Sequence, residues 1–263
     1  MPIRAERLDD VLLLTIERPE RRNALDLDLW HALRDACVGA DGVRAVVLTG
    51  AGGHFCAGMD LNADNPLVAQ IAPAVFEGRE GPAYATIREL KECVGALADV
   101  QVPTFAAIEG ACLGSGLEVA LACDVRIAAR NATIGIPEVA VGMVPDVGGC
   151  ARLTRLVGPG RAADLIVTGR RIDGDEAYRL GVVERVVEPG EALNVALAAA
   201  RQAAANAPVA VRMALRVVRV APDLGLDEAL STETQAGVVA LTSGEPAEGL
   251  AAFAERRAPR WPA

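Results

Sequence analysis

Aromatic residues, histidine and lysine are all scarce in this sequence. Phe, Trp and Tyr make up 3% of 263 residues, there are two histidines, and Lys91 is the sole lysine among 26 basic residues. So few aromatics leave little to stack against single-stranded bases. The net charge of −9 opposes the basic field that binding to phosphate backbones requires, so nucleic acid is not an expected partner. His31 and His54 stand in unrelated settings. The six cysteines (37, 56, 93, 112, 123 and 150) form no CxxC pair. No metal site is therefore expected, and the cysteines read as small buried hydrophobes of a cytoplasmic protein. The longest stretch free of Asp, Glu, Lys and Arg, residues 45–59, holds four glycines. A membrane helix needs about 20 mostly apolar residues, so no span is expected. The opening MPIRAERLDD has no apolar signal core. With histidine so limited, acid–base chemistry falls to the carboxylates.

What is present suits a folded chain with a large core: 52% hydrophobic residues and a mean hydropathy of +0.28. A prior of about 150 residues per domain gives one to two domains. VLLLTIE at 11–17 predicts a strand, Pro19 breaks it, and a helix is expected from Asp26, with Trp30, Leu33 and Cys37 at helical spacing. RAVVLT at 44–49 predicts a buried strand opening into the glycine-rich loop GAGGHFCAGMD. Residues 62–81, with two prolines and two glycines, predict a mobile loop, followed by a helix over about 82–99. A second strand–glycine loop–helix unit follows: strand 104–108, turn GACLGSG, helix LEVALACD. Strands are expected at 125–129, 132–135 and 182–187. Helices are expected at 149–157, 160–168, 173–180, 190–206, 208–220, 226–242 and 246–257.

The chemistry concentrates in residues 111–146. Gly114, Ser115 and Gly116 precede an apolar helix, whose free N–H groups and dipole stabilise negative charge. An ordinary glycine turn capped by Ser115 has the same appearance. GxSxG, GxGxxG and Walker A patterns all fail here. Glu118 lies in the first turn among Leu117, Val119, Ala120 and Leu121, and Glu138 follows Pro137 in IGIPEVAVG. Alone, Glu118 fits a first-turn glutamate favoured by the helix dipole, Glu138 a solvated turn residue, and Asp146 in MVPDVGG ordinary Pro-Asp turn chemistry. Brought to one apolar cavity, however, Glu118 and Glu138 would share a proton and divide acid from base. The AGMD turn of the earlier loop can add a second backbone N–H, which suits proton transfer beside a polarised carbonyl.

The stretches ERPERRNALD, AVVLTGAGGHFCAGMDL, PTFAAIEGACLGSGLEVALACDVRIAA, IGIPEVAVGMVPDVGGCARLTRLVG, TGRRIDGDEAYRLGVVERVV and GLAAFAERR run in one order along nearly the whole chain. Together they resemble the crotonase, or enoyl-CoA hydratase/isomerase, superfamily. The resemblance implies an α/β fold: a repeated ββα spiral over 1–189 as the acyl-CoA-binding catalytic core. It also implies a helical C-terminal module over 190–263 that builds trimers, often paired into hexamers. It implies an acyl-CoA thioester substrate, no metal, and no cofactor beyond the coenzyme A of the substrate.

By the same resemblance, the backbone N–H groups of Met59 and Ser115 form the oxyanion hole. Glu118 and Glu138 match the two catalytic glutamates of hydratases. Ala57, Met59, Asp60 and Leu61 match the adenine and pantetheine loop. Arg21 and Arg22 line the coenzyme A channel, and Arg256 matches a basic residue that a neighbouring subunit offers to its phosphates. Ser115 departs from a frequent Gly, a change that a backbone donor tolerates. Asp146 stands where typical hydratases have Gly, and it completes an acidic trio like that of dienoyl-CoA isomerases. The first reading is an enoyl-CoA hydratase. The second is an enoyl- or dienoyl-CoA isomerase that uses Asp146, and the third a non-catalytic acyl-CoA-binding protein.

Overall fold

The computed structural model describes residues 2–261. Met1, at the start of the expected range 1–189, and residues 262–263, at the end of 190–263, lie outside the described residues. The chain begins with a hairpin of β1 (Ile3–Leu8) and β2 (Val11–Ile16), turned at Asp9, whose φ is 56°. Asp26 caps α1 (Leu27–Val38) by accepting from Leu29 N at 2.9 Å. β3 (Ala45–Gly50) then leads through the glycine loop to α2 (Pro66–Glu77) and α3 (Glu80–Ala98).

The middle of the chain carries β4 (Thr104–Ile108), β5 (Ala111–Leu113), α4 (Ser115–Ala120), β6 (Val125–Ala129) and β7 (Thr133–Gly135). After a 3-10 turn at Glu138–Val141 come α5 (Gly149–Val157), α6 (Pro159–Thr168), β8 (Arg171–Ile172), α7 (Gly174–Leu180) and β9 (Arg185–Val187). Four helices end the chain: α8 (Ala192–Ala204), α9 (Pro208–Val220), α10 (Leu226–Leu241) and α11 (Glu245–Glu255).

Six strands form one sheet in the order β1-β2-β3-β4-β6-β9, parallel from β2 onward. A smaller sheet, β5-β7-β8, stands beside it. The large sheet is covered on both faces, which is why β2, β3 and β4 read as nearly continuous apolar runs. Side chains alternate between the faces. Leu14, Ile16, Val46, Leu48, Ala106 and Ile108 join one core with Trp30 and Leu97, whereas Val11, Leu13, Val47, Phe105 and Ile127 meet α8. That helix presents Ala192, Ala196, Ala199 and Ala200, small enough for its backbone to lie close on the strands.

Three expectations need correction. Residues 62–81 are mostly helical, not a loop: Pro66 occupies the first turn of α2, where no N–H is needed, and Asn65 caps it by accepting from Leu67 N. The helix expected over LEVALACD begins earlier, at Ser115, and ends at Ala120. The strand expected over 182–187 is confined to Arg185–Val187. The hairpin strand β1 and the short β5 and β8 have no counterpart in the sequence reading. The cysteines fit their expected role, since five are buried, Cys150 is half-buried and all are free.

Candidate active site

The two glycine loops meet at one point. Cys56 N donates to Ala111 O at 2.9 Å and Leu113 N to Cys56 O at 3.0 Å, tying the 51–60 loop to β5. Leu25 N donates to Gly58 O and Asp60 N to Leu25 O, holding the residues on either side of Met59. Gly58 sits at φ 102°, and a Cβ there would lie 2.9 Å from Leu113 O, so only glycine permits this approach. Among the described residues neither Met59 N–H nor Ser115 N–H, at the start of α4, has an acceptor. Both residues line a cavity of about 440 Å³.

Glu118 projects into the same cavity from the first turn of α4. It is 1% exposed. Its Oε1 accepts from Val147 N at 3.1 Å and Gly149 N at 2.8 Å, and Oε2 takes part in no hydrogen bond among the described residues. Burial pushes its carboxyl up to about 7; the two N–H groups pull it down, and the negative charges of Glu138 and Asp146 add to the rise. Glu138 opens the 3-10 turn after β7, beside Gly114, where a Cβ would lie 2.8 Å from its Oε1. Both its carboxyl oxygens are buried without a partner among the described residues. Burial, then Asp146, raise its pKa, opposed by its own N–H. Asp146 is exposed at the cavity mouth. Apolar walls on the cavity side nevertheless raise its pKa, opposed by its own N–H and by Lys91.

The remaining expected site residues divide. Ala57 and Leu61 line the cavity, with Leu61 exposed at its mouth. Arg21 and Arg22 are exposed on the neighbouring turn, and Arg22 O accepts from Ala57 N at 3.0 Å. Asp60 turns inward instead. Its carboxylate accepts from Arg18 Nη1 at 2.6 Å and Asn62 N at 3.0 Å, and its carbonyl from Asn65 Nδ2 at 2.6 Å. Burial works against the charge of Asp60, but the bonds from Asn62 and Arg18 outweigh it and hold the carboxyl below its usual range. Asp60 thus braces the loop that carries Met59. Arg256 is exposed at the C-terminus of α11 and is not among the residues lining the cavity.

Sequence reasoning missed Val147 and Gly149, which grip Glu118, and Arg18, which locks Asp60. The signal for Gly149 was the GG pair of DVGG: a Cβ there would lie 2.8 Å from Glu118 Oε1. It also missed that α2 and α3 wall the cavity, through Ile71, Ala74, Ala83, Thr86, Ile87 and Leu90. Among the described residues no cluster of three or more His, Cys, Asp or Glu could hold a metal ion, and no helix is long and apolar enough to cross a membrane.

A family profile described as enoyl-CoA hydratase/isomerase matches residues 6–263. The chain belongs to the enoyl-CoA hydratase/isomerase family. Within it, the chain is 37% identical over 262 residues to a probable enoyl-CoA hydratase of Mycobacterium bovis, covering 98% of this chain and 97% of the relative. It is 36% identical over 257 residues to a short-chain-enoyl-CoA hydratase of Clostridium acetobutylicum, covering 96% and 94%. The crystal structure of an enoyl-CoA hydratase from Bacillus anthracis superposes with a TM-score of 0.89 at 33% identity, over 99% of both chains. The crotonase fold expected from the sequence is therefore the fold of this chain.

Proposed function

We propose that this protein is an enoyl-CoA hydratase, adding water across the 2,3 double bond of a 2-enoyl-CoA thioester. One observation carries the reading: two unpaired backbone N–H groups, from Met59 and Ser115, and two desolvated glutamates converge on one largely apolar cavity. The thioester oxygen accepts from Met59 N–H and Ser115 N–H, and these donors stabilise the charge that grows there as oxygen adds at Cβ. Held by two N–H groups, Glu118 is suited to the carboxylate form and takes the proton of the attacking water. Glu138, buried with no hydrogen bond, is suited to the protonated form and delivers its proton to Cα. Coenzyme A enters as part of the substrate. Ala57 and Leu61 flank its pantetheine, and Arg21 and Arg22 face its phosphates.

The exposed apolar side chains of α10 and α11, among them Leu230, Val238, Leu241, Leu250 and Phe253, support a homo-trimer or hexamer formed by the helices of the 190–263 module on the 1–189 core. In such an assembly Arg256 would reach a neighbour's coenzyme A. The free cysteines support a cytoplasmic location.

Turnover of a panel of 2-enoyl-, 3-enoyl- and 3,5-dienoyl-CoA thioesters, with products identified by mass and ultraviolet absorbance, tests the reading. Binding of all with conversion of none would leave only an acyl-CoA-binding protein. The isomerase reading draws on Asp146, whose carboxyl borders the same cavity. Asp146→Asn is expected to lower hydration less than roughly tenfold, below the usual general-acid contribution, whereas a dienoyl isomerase would lose roughly 10²-fold or more.

The wall formed by α2 and α3 supports an acyl pocket at that end of the cavity. Ala83→Phe is expected to lower the ratio of kcat/KM for decenoyl- over crotonyl-CoA by roughly tenfold, since each methylene contact is worth about 1–3 kcal/mol. An unchanged ratio would place the acyl chain elsewhere.

A further inference from the structure

Arg152 lies behind the turn that grips Glu118. Of the arginines that line one surface cavity with it, Arg212 and Arg216 are exposed to solvent. Arg155 pairs with Asp223 and Arg219 with Asp124. Arg152 has no ion-pair partner among the described residues, although it is half-buried. From α5 its side chain folds back over the 145–149 turn and donates through Nη1 to Val147 O at 3.1 Å. It fills the space above Gly148: a Cβ on that residue would lie 1.9 Å from Nη1 and 2.9 Å from Cζ. The same turn presents Val147 N and Gly149 N to Glu118 Oε1.

An uncompensated cation in such a place is expensive. An arginine cannot escape that cost by losing its proton. Burial opposes its charge, and the groups that favour it are Glu118 first and Asp99 second. The attraction is mutual. Glu118 otherwise meets the negative charges of Glu138 and Asp146 and the neutral thiol of Cys150. Lys91 of α3 acts on Asp146, Asp99 just after α3 faces Arg152, and from α9 Arg212, Arg216 and Arg219 line the surface cavity that Arg152 also borders.

We infer that Arg152 is a positioning residue of the site: a fixed positive charge that pins the 145–149 turn and keeps Glu118 available as a carboxylate near neutral pH. The inference rests on the proposed role of Glu118 as the base. It goes beyond that role in assigning the electrostatic work to a side chain that never touches substrate. Without Arg152, three acidic groups would face one another across an apolar cavity, and the first to regain a proton would be the most buried, Glu118.

The test is the pH dependence of kcat/KM for crotonyl-CoA in the full-length enzyme. Arg152→Gln keeps a donor for Val147 O and removes the charge; Arg152→Lys keeps the charge and loses the fork. With Arg152→Gln the acidic limb is expected to move up by roughly one pH unit, the size of a charge interaction over several ångströms at an effective dielectric of about 20. With Arg152→Lys it should stay near the wild-type position. Coincident limbs for all three proteins would overturn the inference, and so would a lysine variant displaced as far as the glutamine one, because packing would then be the cause. Thermal unfolding of each variant confirms that folded protein is compared. Should Arg152→Gln not fold, a 13C-carboxyl NMR titration of Glu118 in Arg152→Lys and wild type decides the matter: a matching midpoint upholds the role of the charge, and a raised one overturns it. Failure of the underlying reading looks different, since Glu118→Gln would then remain active whatever Arg152 does.

Discussion

Hydration of crotonyl-CoA by Glu118→Gln is expected to fall by roughly 10²–10⁴-fold, the usual contribution of a general acid–base group, with coenzyme A affinity largely unchanged. The amide oxygen can still accept from Val147 N and Gly149 N, so the turn stays in place and only the capacity to take a proton is lost. Glu138→Gln should fall by a similar factor. Near wild-type rates in both would sink the carboxylate-pair mechanism. The same Glu118 variant carries a second expectation, in stability. In the fold Glu118 titrates at about 7, above its value in the unfolded chain. Below the unfolded value both states hold the proton and there is no penalty. As pH rises through the window up to about 7, the unfolded chain releases its proton first and stability is lost. Glutamine bears no such cost. At pH 8 Glu118→Gln should therefore be more stable than wild type by on the order of 3 kcal/mol, and the gap should close by about pH 4. Urea denaturation at the two pH values measures it.

Gly116→Ala is expected to lower kcat by about 10²–10³-fold, as removal of an oxyanion donor does, and to cost about 1–3 kcal/mol of stability through overpacking. A Cβ at this position would lie 2.5 Å from Cys56 O, 2.9 Å from Cys56 Cβ and 3.0 Å from Cys56 C. Two of those atoms are backbone and cannot swing aside. The strain must separate the loop bearing Met59 from the helix start bearing Ser115, so one of the two donors leaves the thioester oxygen. Gly95→Ala is the control. Nothing lies within 4 Å of a Cβ there, it sits inside α3, and alanine should stabilise that helix by up to about 1 kcal/mol without touching the rate. Full activity and an unaltered Tm in Gly116→Ala would remove the steric argument for the donor pair.

Where burial on two faces writes a nearly continuous apolar run, as in β2, β3 and β4, the strand is plain from the residues alone. β1 is not, because IRAERL alternates with charges at the sheet edge and takes its register from β2. α2 was hidden by Pro66 and Pro73, residues that usually end helices; one is accommodated at the helix start and the other lies within the helix. For the site, the residue types and their order pointed to Glu118, Glu138 and the two backbone donors. What no spacing conveys is direction. Asp60, in the same turn as Met59, points inward to Arg18. The N–H groups that hold Glu118 come from Val147 and Gly149, about thirty residues further along, which only the tertiary path of α4 against α5 brings close.

The placement of the cysteines has a chemical consequence for a protein that handles 2-enoyl thioesters. Such molecules are Michael acceptors, and the species they alkylate is thiolate, not thiol. The backbones of Cys56 and Cys112 pair in a single parallel β-bridge, three residues before Met59 and three before Ser115. Burial pushes Cys56 up to about 12 and Cys112 well above the usual thiol range, so neither ionises. Cys150, the half-buried one beside the cavity, is restrained first by burial and then by Glu118, Glu138 and Asp146, whose negative charge disfavours a thiolate. The charge of Glu118, the carboxylate proposed to activate water, thus also works against a thiolate at Cys150. Electrophile tolerance and hydration draw on one arrangement of charge, added at Cys150 to the larger restraint of burial.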